Sequence, residues 1–350
     1  MKNFYLIVIL LNICISCSKK STLEEIEIPK DLKKVHSNID YEKAKFKIND
    51  GNYSKLGRIR FITSNDKNLY WINHRREELI SYINPDKPQD IYDAGVKKGR
   101  GPKKYGNLTS LNCFKNQIYF YDVINKKIGI GKTDTFKKLR RLDNIEQFIH
   151  SINIVNDTSI LISGIFDKMR FGILDEQNEL DIIYKGFPYD GSELSTASKN
   201  MGFTNEMTSH KNKIANIVYN SGIIEFFKLR NNKLKKYSEN LYSQNNFKIK
   251  KEKGAKRAIH SKDNTGFIDI TSNENFVFTL YSSISYNESR EKDSLGRWIL
   301  CYTWKGELVK LLYLTHPINR FALYKNKLIS FFIDREEEKV KLINYYFDEK

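Results

Sequence analysis

The sequence predicts an all-β fold: a single six-bladed β-propeller over residues 41–350, closed into a ring by an N-terminal strand that pairs with the last blade. Three observations predict it: a turn that recurs six times, a second series of turns offset from the first, and one early strand left over. Of 350 residues, 40% are apolar and 13% aromatic, with only 6 prolines and 18 glycines. This composition excludes a disordered or collagen-like chain.

The first series is an apolar stretch, a polar turn containing Asn, and a run of apolar and aromatic residues. It recurs at intervals of roughly 40 to 63 residues. Four-stranded propeller blades repeat about every 40 to 50 residues, and longer when loops are inserted, so six turns predict six blades. The turns contain Asn68, Asn116, Asn156, Asn212, Asn275 and Asn326.

The second series consists of five turns rich in Asp, Asn, Gly and Pro, residues that suit tight turns. The turns are at 84–86, 133–135, 175–178, 230–232 and 304–306. The sixth repeat ends after 339–347, one strand short, while the alternating segment 44–48 has no partner. We therefore expect 44–48 to complete the last blade and remove its open edge.

The strand composition agrees with sheets that are covered on both faces. Segments 118–121 and 328–333 are nearly continuous apolar runs, as expected when each blade is packed between two others. A pair of β-sandwiches does not predict six units of this size. A β-helix predicts much shorter repeats.

The N-terminus has the features of an export signal. Lys2 is followed by an apolar stretch, 4–15, that is too short to span a bilayer core needing about 20 residues. It ends at Ser16–Cys17, which resembles the lipobox of bacterial lipoproteins, although Cys14 stands where that motif usually has Leu. We predict a signal peptide at 1–16, lipidation of Cys17 and a flexible tether at 17–40. An ordinary signal peptide or an uncleaved anchor is the alternative.

The remaining cysteines, Cys113 and Cys301, fall in distant predicted blades. We expect two buried thiols. A disulfide between them stays open, because an oxidising periplasm would permit one.

Several short motifs resemble those of the TolB-like six-bladed propeller lipoproteins of bacteria. The segment Gly99-Arg100-Gly101-Pro102 with Tyr105 is similar to their G-x-G-P-x-E-aromatic loop, with Lys104 in place of Glu. Residues 266–270 and 276–282 resemble a second block, with Ser283 in place of Gly, and 304–306 resembles an aromatic-x-Gly hairpin. The resemblance implies the propeller fold and an envelope location, but no particular reaction.

The sequence contains no local catalytic motif. Its six histidines show no short metal-binding spacing, and there is no nucleophile elbow, Walker loop or dinucleotide fingerprint. We predict no catalytic residues, no metal ligands and no cofactor. A propeller hydrolase or lyase, with a site dispersed over the loops of several blades, is the alternative.

The net charge of +17 indicates a basic surface that could bind an anionic partner. In a propeller, the loops joining the second and third strands share one face with the links between blades, and we call this the loop face. We predict a cationic mouth there for an anionic glycan, peptide or envelope protein, because Arg offers a planar fork and Tyr a stacking ring. The candidates are His74, Arg75, Arg76, Arg100, Lys103, Tyr105, Arg170, Asn220, Tyr286, Arg290 and Arg297, with further cations at 248–257. A basic surface without any ligand is the alternative.

The predicted location excludes one class of partner. A strongly basic chain often binds nucleic acid, but we expect no nucleic-acid partner because an exported protein leaves the cytoplasm. We expect a monomer attached to the membrane through its lipid anchor, on the periplasmic side of the outer membrane, where its cations lie near anionic headgroups.

Overall fold

A computed structural model describes the molecule at residues 27–49, 56, 59–101, 104–132, 135–177, 179–188, 194–243, 247–252, 255–260, 266–285, 296–334, 337 and 339–347. The predictions for Cys17, Lys103, Tyr286 and Arg290 lie outside these residues.

The described chain is almost entirely β-structure, which confirms the all-β prediction. Its helices are α1 (Lys30–Val35) and α2 (Thr196–Gly202). Its strands are β1 (Glu42–Lys43), β2 (Lys45–Asn49), β3 (Ile59–Ser64), β4 (Leu69–Asn73), β5 (Ile80–Ile83), β6 (Tyr92–Asp93), β7 (Leu108–Phe114), β8 (Gln117–Asp122), β9 (Lys127–Lys132), β10 (Thr135–Arg141), β11 (Phe148–Ile154), β12 (Ile160–Ile165), β13 (Phe171–Leu174), β14 (Leu180–Tyr184), β15 (Asn205–His210), β16 (Lys213–Val218), β17 (Ile223–Arg230), β18 (Lys233–Leu241), β19 (Phe247–Glu252), β20 (Ala255–His260), β21 (Gly266–Ser272), β22 (Phe276–Ser282), β23 (Gly296–Thr303), β24 (Leu308–Ile318), β25 (Phe321–Tyr324), β26 (Lys327–Asp334) and β27 (Lys339–Tyr346).

Six antiparallel sheets form the six blades. Blades one to four are β3–β6, β7–β10, β11–β14 and β15–β18, each in sequence order; blade five is β21–β24 and blade six is β25, β26, β27 and β2. The first strands β3, β7, β11, β15, β21 and β25 contact one another in cyclic order, the last against the first. These six inner strands therefore surround a central channel.

The fourth strand of blade six comes from the N-terminal part of the chain. β2 pairs antiparallel with β27, Lys45 opposite Tyr346 and Asn49 opposite Leu342. The edge of β27 that the C-terminal repeat leaves open is thus paired, which removes a surface prone to strand addition.

The described turns lie where the repeat pattern indicates. The Asn-containing turns join first and second strands, and the turns of the second series at 84–86, 230–232 and 304–306 join third and fourth strands. Residues 133–134 and 178 of that series lie outside the described residues. Asn116, Asn231 and Asn232 have φ angles of 61°, 48° and 53°, a left-handed conformation that Asn tolerates better than most residues. All these turns lie on the side opposite the loop face, and we call that side the turn face.

The cores lie between neighbouring blades. Trp71 of blade one is completely buried and packs edge-on against Phe331 of blade six, with ring centroids 5.2 Å apart. Cys113 in blade two and Cys301 in blade five are free thiols.

Residues 27–43 form a strap along blades four and five, which corrects the prediction of a flexible tether through residue 40. Leu32 of α1 is completely buried in the apolar core between these blades. The His36 ring nitrogen Nε2 lies 3.0 Å from the Tyr242 hydroxyl, and β1 pairs in parallel with β24. Because α1 has only six residues, it is too short to show a helical period in the sequence.

The strap should depend on its buried leucine. Leu32→Ala is expected to weaken strap docking by about 2–5 kcal/mol, the usual cost of truncating a buried Leu. Amide hydrogen exchange across 30–36 should become correspondingly faster. Val35→Ala is the control, because Val35 is 39% exposed. Unchanged exchange in Leu32→Ala would show that the strap is held by other contacts.

One hairpin belongs to no blade. β19 and β20 pair antiparallel between blades four and five and rest on α2, where the Ser198 hydroxyl donates a 2.6 Å hydrogen bond to the Lys256 carbonyl. Helix α2 lies in the link between blades three and four, so the hairpin lies on the loop face.

In the part of the chain that the structure describes, no helix has the length and apolar character needed to cross a membrane.

Candidate functional site: the loop face and the central channel

Two of the predicted loop-face arginines are available to a ligand. Arg75, between β4 and β5, and Arg100, in the link between blades one and two, both have exposed side chains. Lys98 is also exposed, and its Nζ lies 3.4 Å from the His74 carbonyl oxygen. This part of the loop face therefore presents three exposed cations beside exposed Glu77.

Two other arginines are bound within their own blades. Arg76 Nη1 lies 3.0 Å from Asp93 Oδ1, and Arg76 also donates to the Ser81 hydroxyl. Arg297 Nη1 donates a 2.6 Å hydrogen bond to the Thr315 carbonyl. Arg76 thus links the loop before β5 to the outer strand β6, and Arg297 in β23 hydrogen-bonds to the outer strand β24.

The structure corrects the assignment of Tyr105 and Arg170 as ligand contacts, because both are internal. Tyr105 is 4% exposed and packs edge-on against Phe120, with ring centroids 4.9 Å apart. Arg170 is 2% exposed and makes a two-pronged ion pair with Glu225, at 3.0 and 2.6 Å. This pair joins blades three and four. Glu225 lies in a buried strand, so it needs a cationic partner, and the sequence alone did not pair the two.

His74 and Asn220 have structural surroundings. Burial, together with the charge of Arg60, lowers the pKa of His74 to about 4, so its ring is neutral near pH 7. Its buried Nε2 has no hydrogen-bond partner among the described residues. Asn220 has a φ of 51°, and its backbone N–H donates to the Phe267 carbonyl at 2.9 Å, which links blade four to blade five.

The hairpin adds a dense group of cations to the loop face. Lys250 is paired opposite Arg257, and Lys251 opposite Lys256. The side chains of Lys250, Lys251 and Lys256 are exposed. Like charges directly opposite each other destabilise a strand pair, so an anion bound here would relieve repulsion within the hairpin.

The described residues also line a cavity of about 160 Å³ in the central channel. It lies in the half of the channel nearer the turn face, because its walls come mainly from the ends of the inner strands. All six inner strands contribute: 61–64, 111–114, 153–154, 206–209, 269–272 and Leu323.

A cluster of charged residues separates this cavity from the loop face. Arg320, directly before β25, places Nη1 2.8 Å from Glu206 Oε2 and 3.0 Å from Asp269 Oδ1. Arg320 Nη2 donates to the Tyr219 hydroxyl at 3.2 Å, and Tyr219 donates to Glu206 Oε2. We call Arg320, Glu206, Asp269 and Tyr219 the Arg320 cluster.

The Arg320 guanidinium reaches across the channel. Besides its partners in blades four and five, it lies 5.5 Å from the ring centroid of Phe61 in blade one. A residue of blade six thus contacts blades one, four and five.

Burial dominates the electrostatics of the cluster. It raises the pKa of Asp269 to about 8, although the Arg320 charge acts in the opposite direction. Burial also raises the pKa of Tyr219 well above its usual range, so this phenol stays protonated. Both carboxyl groups already accept hydrogen bonds from Arg320, and the arrangement serves first as a fixed ion-pair network.

The sequence analysis missed this cluster. Its members come from different blades: Glu206 from β15, Asp269 from β21 and Arg320 from the link before β25. One signal was present, since Asp269 lies inside the apolar segment 266–270, where a carboxylate requires a buried partner. No described group of three or more His, Cys, Asp or Glu residues is arranged to hold a metal ion.

Comparison with known proteins agrees with this geometry. The family model described as TolB-like 6-blade propeller-like matches residues 80–326. The chain belongs to this TolB-like propeller family. The match includes Arg100, the hairpin and all four residues of the Arg320 cluster, whereas Arg75 and the channel segment 61–64 lie outside it.

Solved structures resemble this TolB-like propeller in fold. An exported protein from Bacteroides fragilis superimposes with a TM-score of 0.54 and 11% identity, over 88% of this chain and 95% of the other. A luciferin-regenerating enzyme superimposes with a TM-score of 0.50 and 8% identity, over 87% and 96% of the two chains. Identities this low show the fold alone. No curated protein matches the chain in sequence.

Proposed function

We propose that this TolB-like propeller is an exported, lipid-anchored binding protein whose loop face captures an anionic ligand without catalysing a reaction. The Ser16–Cys17 junction and the family membership support the location. The name of the Bacteroides fragilis neighbour, an exported protein, agrees with it. An anionic glycan, an acidic peptide and an acidic envelope protein all share the required chemistry.

One observation carries the binding proposal: the extra hairpin places exposed, like-charged lysines on the loop face. No blade needs this hairpin, since each blade has four strands without it. Its cross-strand cation pairs cost stability in the absence of an anion. Arg75 and Arg100 are exposed on the same side. The binding surface is therefore broad and cationic, and does not depend on the buried Tyr105 and Arg170 or on Arg76 and Arg297, which bind within their own blades.

Binding of a carboxylated oligosaccharide, oligogalacturonate, tests the proposal. Substituting Arg75, Arg100, Lys250 and Lys251 together by Ala should weaken binding about fourfold or more, since four exposed charge pairs together contribute about 0.8–4 kcal/mol. The wild-type affinity should fall with added salt. The methyl-esterified oligosaccharide, which lacks the charges, should bind much more weakly.

A matched control removes four charges from the opposite side. Lys67, Lys87, Lys233 and Lys305 are exposed on the turn face, and their joint replacement by Ala should leave the affinity within about twofold. Equal losses in both quadruple variants would mean that only net charge matters and would refute a loop-face site. Oligoglutamate binding as tightly as the oligosaccharide would favour an acidic peptide as the ligand.

A hydrolase or lyase is the second candidate, favoured by the convergence of Glu206 and Asp269 with a raised pKa at Asp269. Against this role, both carboxyl groups accept hydrogen bonds from Arg320, which leaves neither placed as an independent acid or base.

A further inference from the structure

The wall of the channel cavity presents an excess of hydrogen-bond acceptors. The Ser64 hydroxyl donates to the Leu323 carbonyl, and the Ser209 hydroxyl donates to the Ile154 carbonyl at 2.8 Å. Asn112 Nδ2 donates to the Ile152 carbonyl at 2.9 Å. These donors are used within the protein, and the oxygen lone pairs of the same side chains remain for a ligand.

One acceptor in this wall is buried and unsatisfied. Asn153 is 4% exposed and lines the cavity. Its Nδ2 donates to the Met207 carbonyl of the next blade at 2.8 Å, while its Oδ1 has no hydrogen-bond partner in the described chain. A buried acceptor without a donor destabilises the protein by about 1–3 kcal/mol. A ligand that donates a hydrogen bond to Asn153 Oδ1 would remove this penalty.

One end of the cavity carries two carboxyl groups. Glu206 and Asp269 both line it, and Arg320 contacts both of them. Arg320 and Tyr219 both donate to Oε2 of Glu206, which leaves Oε1 without a donor among the described residues. The cavity thus combines neutral acceptors at one end with a carboxyl oxygen that lacks a donor at the other.

We propose that this cavity binds a small organic ammonium compound that also carries a hydroxyl group. The ammonium group would bond to Glu206 Oε1 and the hydroxyl would donate to Asn153 Oδ1 or a serine oxygen. The volume of about 160 Å³ equals the liquid volume of about five waters, enough for a ligand of a few heavy atoms. This site lies on the other side of Arg320 from the loop face, so it is independent of the proposed function.

Three isosteric probes separate charge from shape: ethanolamine, ethylene glycol and glycolate, titrated by calorimetry into the complete protein. Ethanolamine should bind at least about tenfold more tightly than neutral ethylene glycol, because charge-assisted hydrogen bonds are about twice as strong as neutral ones. Glycolate should not bind in the cavity. Comparable affinities for all three, or binding of none of them by the folded protein, would refute the proposal and leave a water-filled channel.

Two variants locate the binding. Glu206→Gln should weaken ethanolamine binding about tenfold, and Asn153→Leu, which removes the unsatisfied Oδ1, should weaken it about threefold. Glu239→Gln, a carboxyl change on the half-exposed surface of β18, should have no effect. Ethanolamine binding that survives both cavity variants would place it elsewhere and overturn the assignment. The loop-face quadruple variant should bind ethanolamine normally, which separates failure here from failure of the proposed function.

Discussion

Arg320→Met is expected to destabilise the protein by about 3–5 kcal/mol, the usual cost of removing one partner from a buried ion pair. Side chains of Arg320, Glu206 and Asp269 are only 19%, 17% and 6% exposed, so the substitution leaves two largely buried carboxyl groups without their cationic donor. Urea unfolding should show a lower midpoint with an unchanged slope.

The loss should grow with pH, and the sign follows from Asp269. Its pKa is raised on folding from 3.8 to about 8, so this carboxyl takes up a proton on folding. Its contribution to stability is therefore full below pH 3.8 and is lost as the pH rises through 8. Without Arg320, ionised Asp269 has no counter-charge, so Arg320→Met should cost more at pH 9 than at pH 6.

Compensating substitutions and a surface arginine provide the controls for Arg320. Adding Glu206→Gln and Asp269→Asn to Arg320→Met should restore much of the lost stability, because no uncompensated charge then remains buried. Arg76→Met, which breaks a pair whose partners are 26% and 37% exposed, should cost less than about 1 kcal/mol. A cost for Arg320→Met no larger than that for Arg76→Met would show that the Arg320 cluster does not act as a buried ion pair that stabilises the fold.

Arg170→Met should cause a second loss of about 3–5 kcal/mol, here at the junction of blades three and four. Arg170 and Glu225 are 2% and 0% exposed, and the guanidinium also packs 4.8 Å from the centroid of the Phe171 ring. Removing Arg170 leaves Glu225 with Asn216 Nδ2 at 3.1 Å and Lys236 Nζ at 3.7 Å. Thermal or urea unfolding measures the loss.

The matched test for this junction keeps the shape and removes the charge. Arg170→Met combined with Glu225→Gln should recover at least half of the lost stability, since the amide oxygen of Gln can still accept from Asn216. Equal stability of the single and double variants would mean that packing, rather than an unpaired carboxylate, determines the loss. In either variant the oligosaccharide affinity should be unchanged, because Arg170 is internal.

The fold was readable from the sequence because it repeats. Each blade contributes an Asn turn and a second turn at a regular interval, and neither depends on contacts between distant residues. Segment 44–48 stood out because it belongs to none of the repeats, and it was therefore predicted to pair with the last blade. In the structure, β2 pairs with β27. The strap could not be predicted from the sequence. Its six-residue helix and two-residue parallel strand are too short to produce a periodic sequence pattern, and packing on blades four and five holds them in place.

The sequence predicted only part of the candidate site. The exposure of Arg75 and Arg100 follows from their positions in loops and does not depend on a distant partner. Arg170 and Arg320 depend instead on Glu225, Glu206 and Asp269, which lie 51 to 114 residues away along the chain. Sequence position gives no indication of which acid faces which arginine across the ring. Arg170 was therefore assigned to a ligand although it joins two blades, and Arg76 and Arg297 although they bind within their own blades.

Amide hydrogen exchange of the whole propeller with and without oligogalacturonate tests the central claim, capture of an anion by the loop face, most directly. We predict slower exchange in peptides covering 74–79, 97–101 and 247–260, and unchanged exchange in the turns at 65–68, 84–91 and 304–306. Protection confined to those turns, or binding without protection of the hairpin, would contradict the account.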